Sequence, residues 1–194
     1  MHTTKIDGTS RLKSGMELVL TKWIALGGTA AIAADKEEEL QKKFPEDLIR
    51  TAKTFQTLGD TEAEKALAET FGECQCLPLG EGGILSALWK IADEAGLGLT
   101  ADLRKIPIRQ ETVEITEVYD VNPYGLFSAG ALLIGTFQGL ALTDALKRQG
   151  IHAAVIGTVT EGPDRVIYNQ EIKRYVDKPA RDEIYKVLPC WGKV

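Results

Sequence analysis

The sequence predicts a single α/β (α+β) domain in which helices flank one mixed β-sheet. Short apolar stretches with strand-like alternation recur between stretches with apolar residues at helical spacing. Glycine or proline stands at nearly every change between them. The 194 residues, 44% of them hydrophobic and 26% charged, suffice for one core and argue against general disorder. We expect a disordered segment at 1–14, a domain at 15–188 and a tail at 189–194, with about four to six strands in the sheet.

The first third of the chain predicts one strand and two helices. Residues 16–26 alternate like a strand, and the glycines that follow open a helix for which Thr29 is a suitable N-cap. Pro45 suits the first turn of the next helix. An apolar stripe at helical spacing marks the buried face of this helix: Leu48, Ile49, Ala52 and Phe55.

The middle of the chain continues the alternation. Thr61 and Glu64 have the spacing of a capping box before a third helix, whose inward residues are expected to be Ala63, Ala66, Leu67 and Phe71. A strand end and a glycine-rich turn follow at 74–83, and a helix at 84–95 is bounded by Gly96. Residues 97–103 alternate as a strand, and residues 109–119 predict a further helix.

The last third predicts a buried strand at 131–137, a helix at 142–149, strands at 151–159 and 165–169, and a short final helix at 180–188. Both β-rich stretches are bounded by turn residues, such as those at 122–125 and 162–164.

Charge and composition exclude several classes of function. The net charge is −5 and the pI is about 5.2, so no basic surplus exists to neutralise a nucleic-acid backbone. The apolar runs are too short to span a membrane, and the N-terminus lacks the apolar core of a signal peptide. Three cysteines and two histidines provide neither a disulfide framework nor a zinc site. We therefore expect a cytoplasmic protein that binds neither nucleic acid nor membrane.

Three places could carry chemistry. Glu81-Gly82-Gly83 stands directly before a helix, where backbone N–H groups favour anions, and Ser128-Ala129-Gly130 forms a second small-residue turn before a strand. Neither turn has the Walker or the dinucleotide-binding spacing, so either could be a plain connection. The third candidate, Cys190, is a reactive carrier if its thiol is activated and an incidental thiol if it is not.

Four stretches of the sequence carry a resemblance when they are taken together. They run from Leu18 to Leu40, from Glu81 to Ile115, from Asp120 to Thr136 and from Gly150 to Gly162. In this order they resemble the C-terminal half of the aminoimidazole ribonucleotide (AIR) synthetase superfamily, and most closely hydrogenase maturation protein HypE-like and AIR synthase-related proteins. The resemblance covers about residues 12–176.

The resemblance implies a ligand site, with departures. In the family, a turn of the type Asp-x-Thr-x-Gly-Gly approaches the ligand. Here Glu81, Gly82 and Gly83 keep its end, whereas Pro78 and Gly80 replace the Asp and the Thr. Ser128 and Gly130 match the second loop, which gives five ligand-binding candidates, with Glu81 as the candidate magnesium ligand. HypE-type enzymes end in a Cys that carries a thiocarboxamide, which makes Cys190 the catalytic candidate, although four residues follow it here.

The resemblance leaves two functions open. Full members add an N-terminal half that supplies most of the ATP and magnesium ligands, and no such half is recognisable here. The first function is a stand-alone module that binds a ligand or a partner, either as a homo-oligomer or with a separate protein. The second is part of an ATP-dependent HypE-type hydrogenase maturation enzyme, either as a fragment of a longer chain or as one half of a two-chain enzyme. ATP and magnesium are expected as cofactors only when an N-terminal half completes the site.

Overall fold

One mixed seven-stranded sheet forms the centre of the computed structural model, which describes residues 10–192. Its strands are β1 (Glu17–Thr21), β2 (Cys74–Pro78), β3 (Gly98–Asp102), β4 (Leu132–Thr136), β5 (Ala153–Thr160), β6 (Arg165–Asn169) and β7 (Ile172–Tyr175). They lie side by side in the order β2-β4-β1-β5-β3-β6-β7. Neighbouring strands are antiparallel, except for the parallel pair β3 and β6.

Seven α-helices accompany the sheet. They are α1 (Leu26–Asp35), α2 (Glu37–Leu40), α3 (Glu46–Thr54), α4 (Glu62–Thr70), α5 (Gly83–Ala95), α6 (Gln110–Val118) and α7 (Gly139–Arg148). Short 3-10 helices occur at Phe55–Leu58, Leu103–Lys105, Pro123–Gly125 and Glu183–Lys186. The predicted class, a mixed sheet flanked by helices, is confirmed. Among residues 10–192, no helix is long and apolar enough to cross a membrane.

The core has one cluster on each face of the sheet, because successive side chains of a strand point to opposite faces. In β1, Leu18 and Leu20 enter the larger cluster, which also contains side chains of α1, α3, α5 and α6. Val19 enters the smaller cluster, with Ala68 of α4 and Leu142 of α7. Strand β1 is therefore central in the sheet and buried on both sides.

Two expectations about helix starts were wrong. Thr29 does not cap α1, since the helix begins at Leu26 and Thr29 is buried inside it, with its hydroxyl 3.0 Å from that of Thr112. Thr61 precedes α4 as expected, but its side chain makes no capping hydrogen bond. The residue at N-cap in α1 is Ala25, whose φ of 61° turns the chain sharply out of the strand.

The inward face of α4 agrees with the prediction in part, since Leu67 and Phe71 pack against the smaller cluster. Ala63 and Ala66 are exposed, whereas Glu64 and Ala68 are buried. The carboxylate of Glu64 lies 2.7 Å from the ammonium of Lys22. Glu64 therefore points inward on the same face of the helix as Ala68.

The two ends of the chain extend the fold. Strand β7 was not predicted, and it brings the sheet to seven strands. The final helix is only the 3-10 turn Glu183–Lys186. Of the segment 1–14, which we predict to be disordered, residues 1–9 lie outside the described residues, and Leu12 is 5% exposed.

Candidate functional site

A tight glycine turn joins β2 to α5. Gly82 and Gly83 have φ values of 78° and 59°, a region that favours glycine. A Cβ on Gly83 would lie 2.5 Å from the carbonyl oxygen of Tyr124 and 2.7 Å from that of Leu126. The absence of a side chain at Gly83 therefore lets the start of α5 approach the protein's own 124–126 backbone.

The structure brings the two predicted loops together. The N–H of Ser128 donates to the carbonyl of Gly80 at 3.1 Å. The Ser128 hydroxyl is fully buried, where it accepts from the N–H of Ala25 at 2.7 Å and donates to the carbonyl of Leu126 at 2.7 Å. The side chain of Ser128 thus ties the loop to the start of α1. Gly130 has a φ of 104°, and a Cβ there would lie 2.7 Å from the Leu58 carbonyl oxygen.

A carboxylate from the end of the chain occupies the junction of these loops. Asp182 accepts from the N–H of Gly82 at 2.6 Å and from that of Phe127 at 3.2 Å. It also caps the final 3-10 helix by accepting from the N–H of Ile184 at 2.8 Å. The residue is 2% exposed. The N–H of Gly82, which the sequence offers to an anion at the start of α5, is therefore bonded to the protein's own anion.

Opposing effects act on the pKa of the Asp182 carboxyl. Burial raises the pKa of its carboxyl above the usual range, while the three backbone N–H donors favour the carboxylate and act in the other direction. The charge of Glu81 adds to the rise. The sequence analysis missed Asp182, and the only signal available there was an Asp at the position before a short helical turn.

Replacing Asp182 with asparagine is expected to lower the free energy of unfolding by about 2 kcal/mol, because one amide cannot accept from all three buried donors. Urea denaturation followed by circular dichroism measures the change. Asp177→Asn is the control, since Asp177 is exposed and only five residues away. An Asp182→Asn protein as stable as the control would show that the three hydrogen bonds contribute little.

The residues at this turn do not fit magnesium and a nucleotide phosphate. Pro78 and Gly80 provide neither the carboxylate nor the hydroxyl of the family's turn, and Asp182 occupies the Gly82 donor. Within residues 10–192, no group of three or more His, Cys, Asp or Glu side chains could hold a metal ion. No chemical step through ATP follows from this arrangement.

The cysteines occupy different environments. Cys190 is exposed at the edge of a groove of about 970 Å³ that runs along α1. Burial, with a further contribution from Cys74, raises the pKa of the Cys76 thiol to about 12. Cys76 is therefore protonated at neutral pH and is a poor nucleophile.

A sequence profile of one family, described as AIR synthase related protein, C-terminal domain, matches residues 13–169. The curated protein phosphoribosylformylglycinamidine synthase subunit PurL of Caldanaerobacter subterraneus subsp. tengcongensis is 27% identical over 153 residues. The match covers 76% of this chain and 20% of that protein. PurL of a Thermoanaerobacter species is 26% identical over 162 residues, which cover 80% and 20% of the two chains.

Several solved structures share the fold. The hydrogenase maturation protein HypE of E. coli superposes with a TM-score of 0.68 at 18% identity, covering 93% of this chain and 55% of HypE. A HypE–HypF complex gives 0.66 at 20% identity, with coverage of 89% and 55%. HypE in complex with ATP gives 0.67 at 15% identity, with coverage of 91% and 55%. The chain thus spans about half the length of these solved proteins and a fifth of the curated ones.

Proposed function

We propose that this chain, which belongs to the family of AIR synthase related proteins as the C-terminal domain, is a binding module. It docks on a protein partner and does not turn over ATP by itself. The partner is either a second copy of the chain or a separate protein. The observation that carries the proposal is the closed turn before α5, where Asp182 accepts from Gly82 and Phe127.

The closed turn supports a binding role over a catalytic one. Phosphoryl transfer depends on a phosphate clamp and on magnesium ligands, and the turn is where the resemblance implies that this domain approaches the ligand. A carboxylate already held by backbone N–H groups opposes the approach of a phosphate, both by occupying the donors and by its charge. The domain keeps the glycines of the turn, but the N–H of Gly82 is hydrogen-bonded to Asp182 of the same chain.

The groove along α1 is the surface that we propose for the partner. It is lined on one side by small residues of α1, including Ala31 and Ala34, and on the other by the last residues of the described chain. Phe127 and Trp191 contribute aromatic surface, with ring centroids 6.1 Å apart. Apolar grooves of this extent in soluble domains tend to be interaction sites. That HypE forms a complex with HypF agrees with a partner-binding role for this fold.

Ala34→Arg tests this surface, since Ala34 is exposed on the groove side of α1. The wild-type chain is expected to associate at micromolar concentration, or to capture a partner from its native cell extract, and Ala34→Arg should lose that association. Ala141→Arg, at an exposed position of α7 outside the groove, should retain it. Light scattering measures self-association, and a pull-down measures capture of a partner. A wild-type chain that is strictly monomeric and captures nothing would refute the proposal.

The alternative function is one part of an ATP-dependent HypE-type enzyme in hydrogenase maturation. It is favoured by the similarity to HypE, which has been solved with ATP and of which this chain spans about half. In that assembly we place the nucleotide where the Glu81–Gly83 turn meets the Ser128–Gly130 loop, with Glu81 as magnesium ligand and Asp182 moved away. Cys190 is the carrier in this alternative. An ATP-binding half encoded upstream of Met1 in the same reading frame would support the alternative as a fragment of a longer chain, and a separate chain that carries this half would support it as a two-chain enzyme.

An ATPase assay with magnesium tests whether the chain turns over ATP by itself. We expect the purified chain alone to show no turnover in the range of enzymes, which is typically about 1 to 1,000 per second, because the turn has lost its acid and its hydroxyl. Glu81→Ala is the matched variant. Robust turnover by the wild type that disappears in Glu81→Ala would show that the remaining turn is catalytic.

A further inference from the structure

A cavity of about 520 Å³ lies beside the start of α5, separate from the groove along α1. Its walls are the first turn of α5, the 122–125 loop, the β6–β7 hairpin and the segment 176–183. Strand β7 and the segment 176–183 follow residue 169, where the match to the family ends. The cavity is therefore built largely by a part of the chain that the family does not define.

The interior of this cavity is apolar. Leu85 of α5, Leu103 after β3 and Ile167 of β6 line it together with Tyr124. A volume of about 520 Å³ lies in the range of small-molecule sites, about 300–1,000 Å³. The cavity can hold a compact apolar body of the size of one aromatic ring.

Three cations line the same cavity. Arg174, Lys178 and Arg181 are exposed, and none of them forms an ion pair with any of residues 10–192. The guanidinium of Arg181 lies 4.3 Å from the centroid of the Tyr185 ring, which positions it without neutralising its charge.

The acidic residues of the cavity do not cancel this charge. Glu183 pairs with Lys186 at 2.6 Å and also accepts from the N–H of Asn122 at 3.1 Å. Asp182 does not line the cavity, and its carboxylate is held by three backbone N–H groups. Asp177 is the one lining acid that forms no ion pair within residues 10–192. Two positive charges thus remain uncompensated at this site, in a chain whose net charge is −5.

We propose that this cavity binds a phosphate monoester with a compact apolar body. The apolar interior takes the body, and the guanidinium and ammonium groups of Arg174, Lys178 and Arg181 take the phosphate, whose dianion matches the two uncompensated charges. This site is separate from the partner surface along α1, and it borders the turn closed by Asp182, because Gly82 is one of its lining residues.

Calorimetric titration with phenyl phosphate tests the site, because this probe combines one aromatic ring with a dianionic head. Binding is expected at low ionic strength and should weaken as salt is added. Arg174→Gln and Arg181→Gln should each weaken binding about three- to fivefold, as expected for exposed charge pairs, and the double variant about tenfold or more. Arg148→Gln is the matched control, since Arg148 is an exposed arginine of α7 outside the cavity.

Titrations with the separate halves of phenyl phosphate test the proposed class of ligand. Phenol and inorganic phosphate should each bind more weakly than phenyl phosphate, because each lacks one half of the recognition. Three results would each overturn the proposal. They are phenol binding as tightly as phenyl phosphate, benzoate binding more tightly than phenyl phosphate, and equal affinity for phenyl phosphate in Arg148→Gln and the double variant. Absence of phenyl phosphate binding by the wild type would overturn it as well.

Discussion

Replacing Glu64 with glutamine is expected to lower the free energy of unfolding by about 3–5 kcal/mol, the typical cost of breaking a buried ion pair by removing one partner. Glu64 is 2% exposed, and its carboxylate lies 2.7 Å from the Lys22 ammonium, whose side chain is 14% exposed. Glutamine keeps the volume of glutamate but not its charge. The ammonium of Lys22 would then be left as an uncompensated charge in a mostly buried position.

Lys22 connects this ion pair to other parts of the fold. Lys22 follows β1 with a φ of 55°, and its ammonium also donates to the carbonyl oxygens of Leu58 and Asp60. One side chain therefore connects the end of β1, the 58–60 loop and α4. Loss of the carboxylate leaves this cation with its carbonyl acceptors but without an opposite charge.

Glu73→Gln is the matched control for Glu64→Gln. Glu73 pairs with Lys13 at 2.6 Å, but the two side chains are 42% and 56% exposed, so the same change should cost only about 0–1 kcal/mol. Urea denaturation of both variants gives the comparison. Equal destabilisation would contradict the conclusion that burial, and not contact distance, determines the contribution of the Glu64 pair.

The fold class was predictable because strands and helices each have their own hydrophobic period. Residues 18–20 are apolar in succession because β1 is buried on both faces, and the helical stripe of α5 ends at Gly96 in the left-handed conformation. Strand β7 lacks this signal, since all four of its residues are exposed. The inward face of α4 was predicted only in part, because no local pattern reveals that Glu64 is buried beside Lys22.

The candidate site could also be predicted only in part. The resemblance assigned the Glu81–Gly83 turn and the Ser128–Gly130 loop to one ligand site, and the structure joins them by the hydrogen bond from Ser128 to Gly80. The sequence did not indicate that Asp182 closes the junction. Asp182 lies 100 residues from Gly82, and a contact of that separation depends on the path of the whole chain. A local pattern could therefore locate the turn but not what occupies it.

Gly83→Ala and Gly96→Ala together separate the two reasons for which a glycine can be required. The residues bound the same helix and have similar φ values of 59° and 66°. Alanine at Gly96 would meet no atom within 4 Å, so it should cost only the left-handed backbone penalty, about 1–2 kcal/mol.

Alanine at Gly83 is expected to cost about 3 kcal/mol or more, because its Cβ would meet the carbonyl oxygens of Tyr124 and Leu126 at 2.5 and 2.7 Å in addition to the same penalty. Urea denaturation of both variants measures the difference. Relief of the clash requires the 124–126 backbone to move away from α5, and Phe127, which donates to Asp182, would move with it. If Gly83→Ala and Gly96→Ala were equally stable, the glycine at the start of α5 would be required only for its conformation. A larger cost at Gly83 would show that this glycine is needed for the close packing that builds the closed turn.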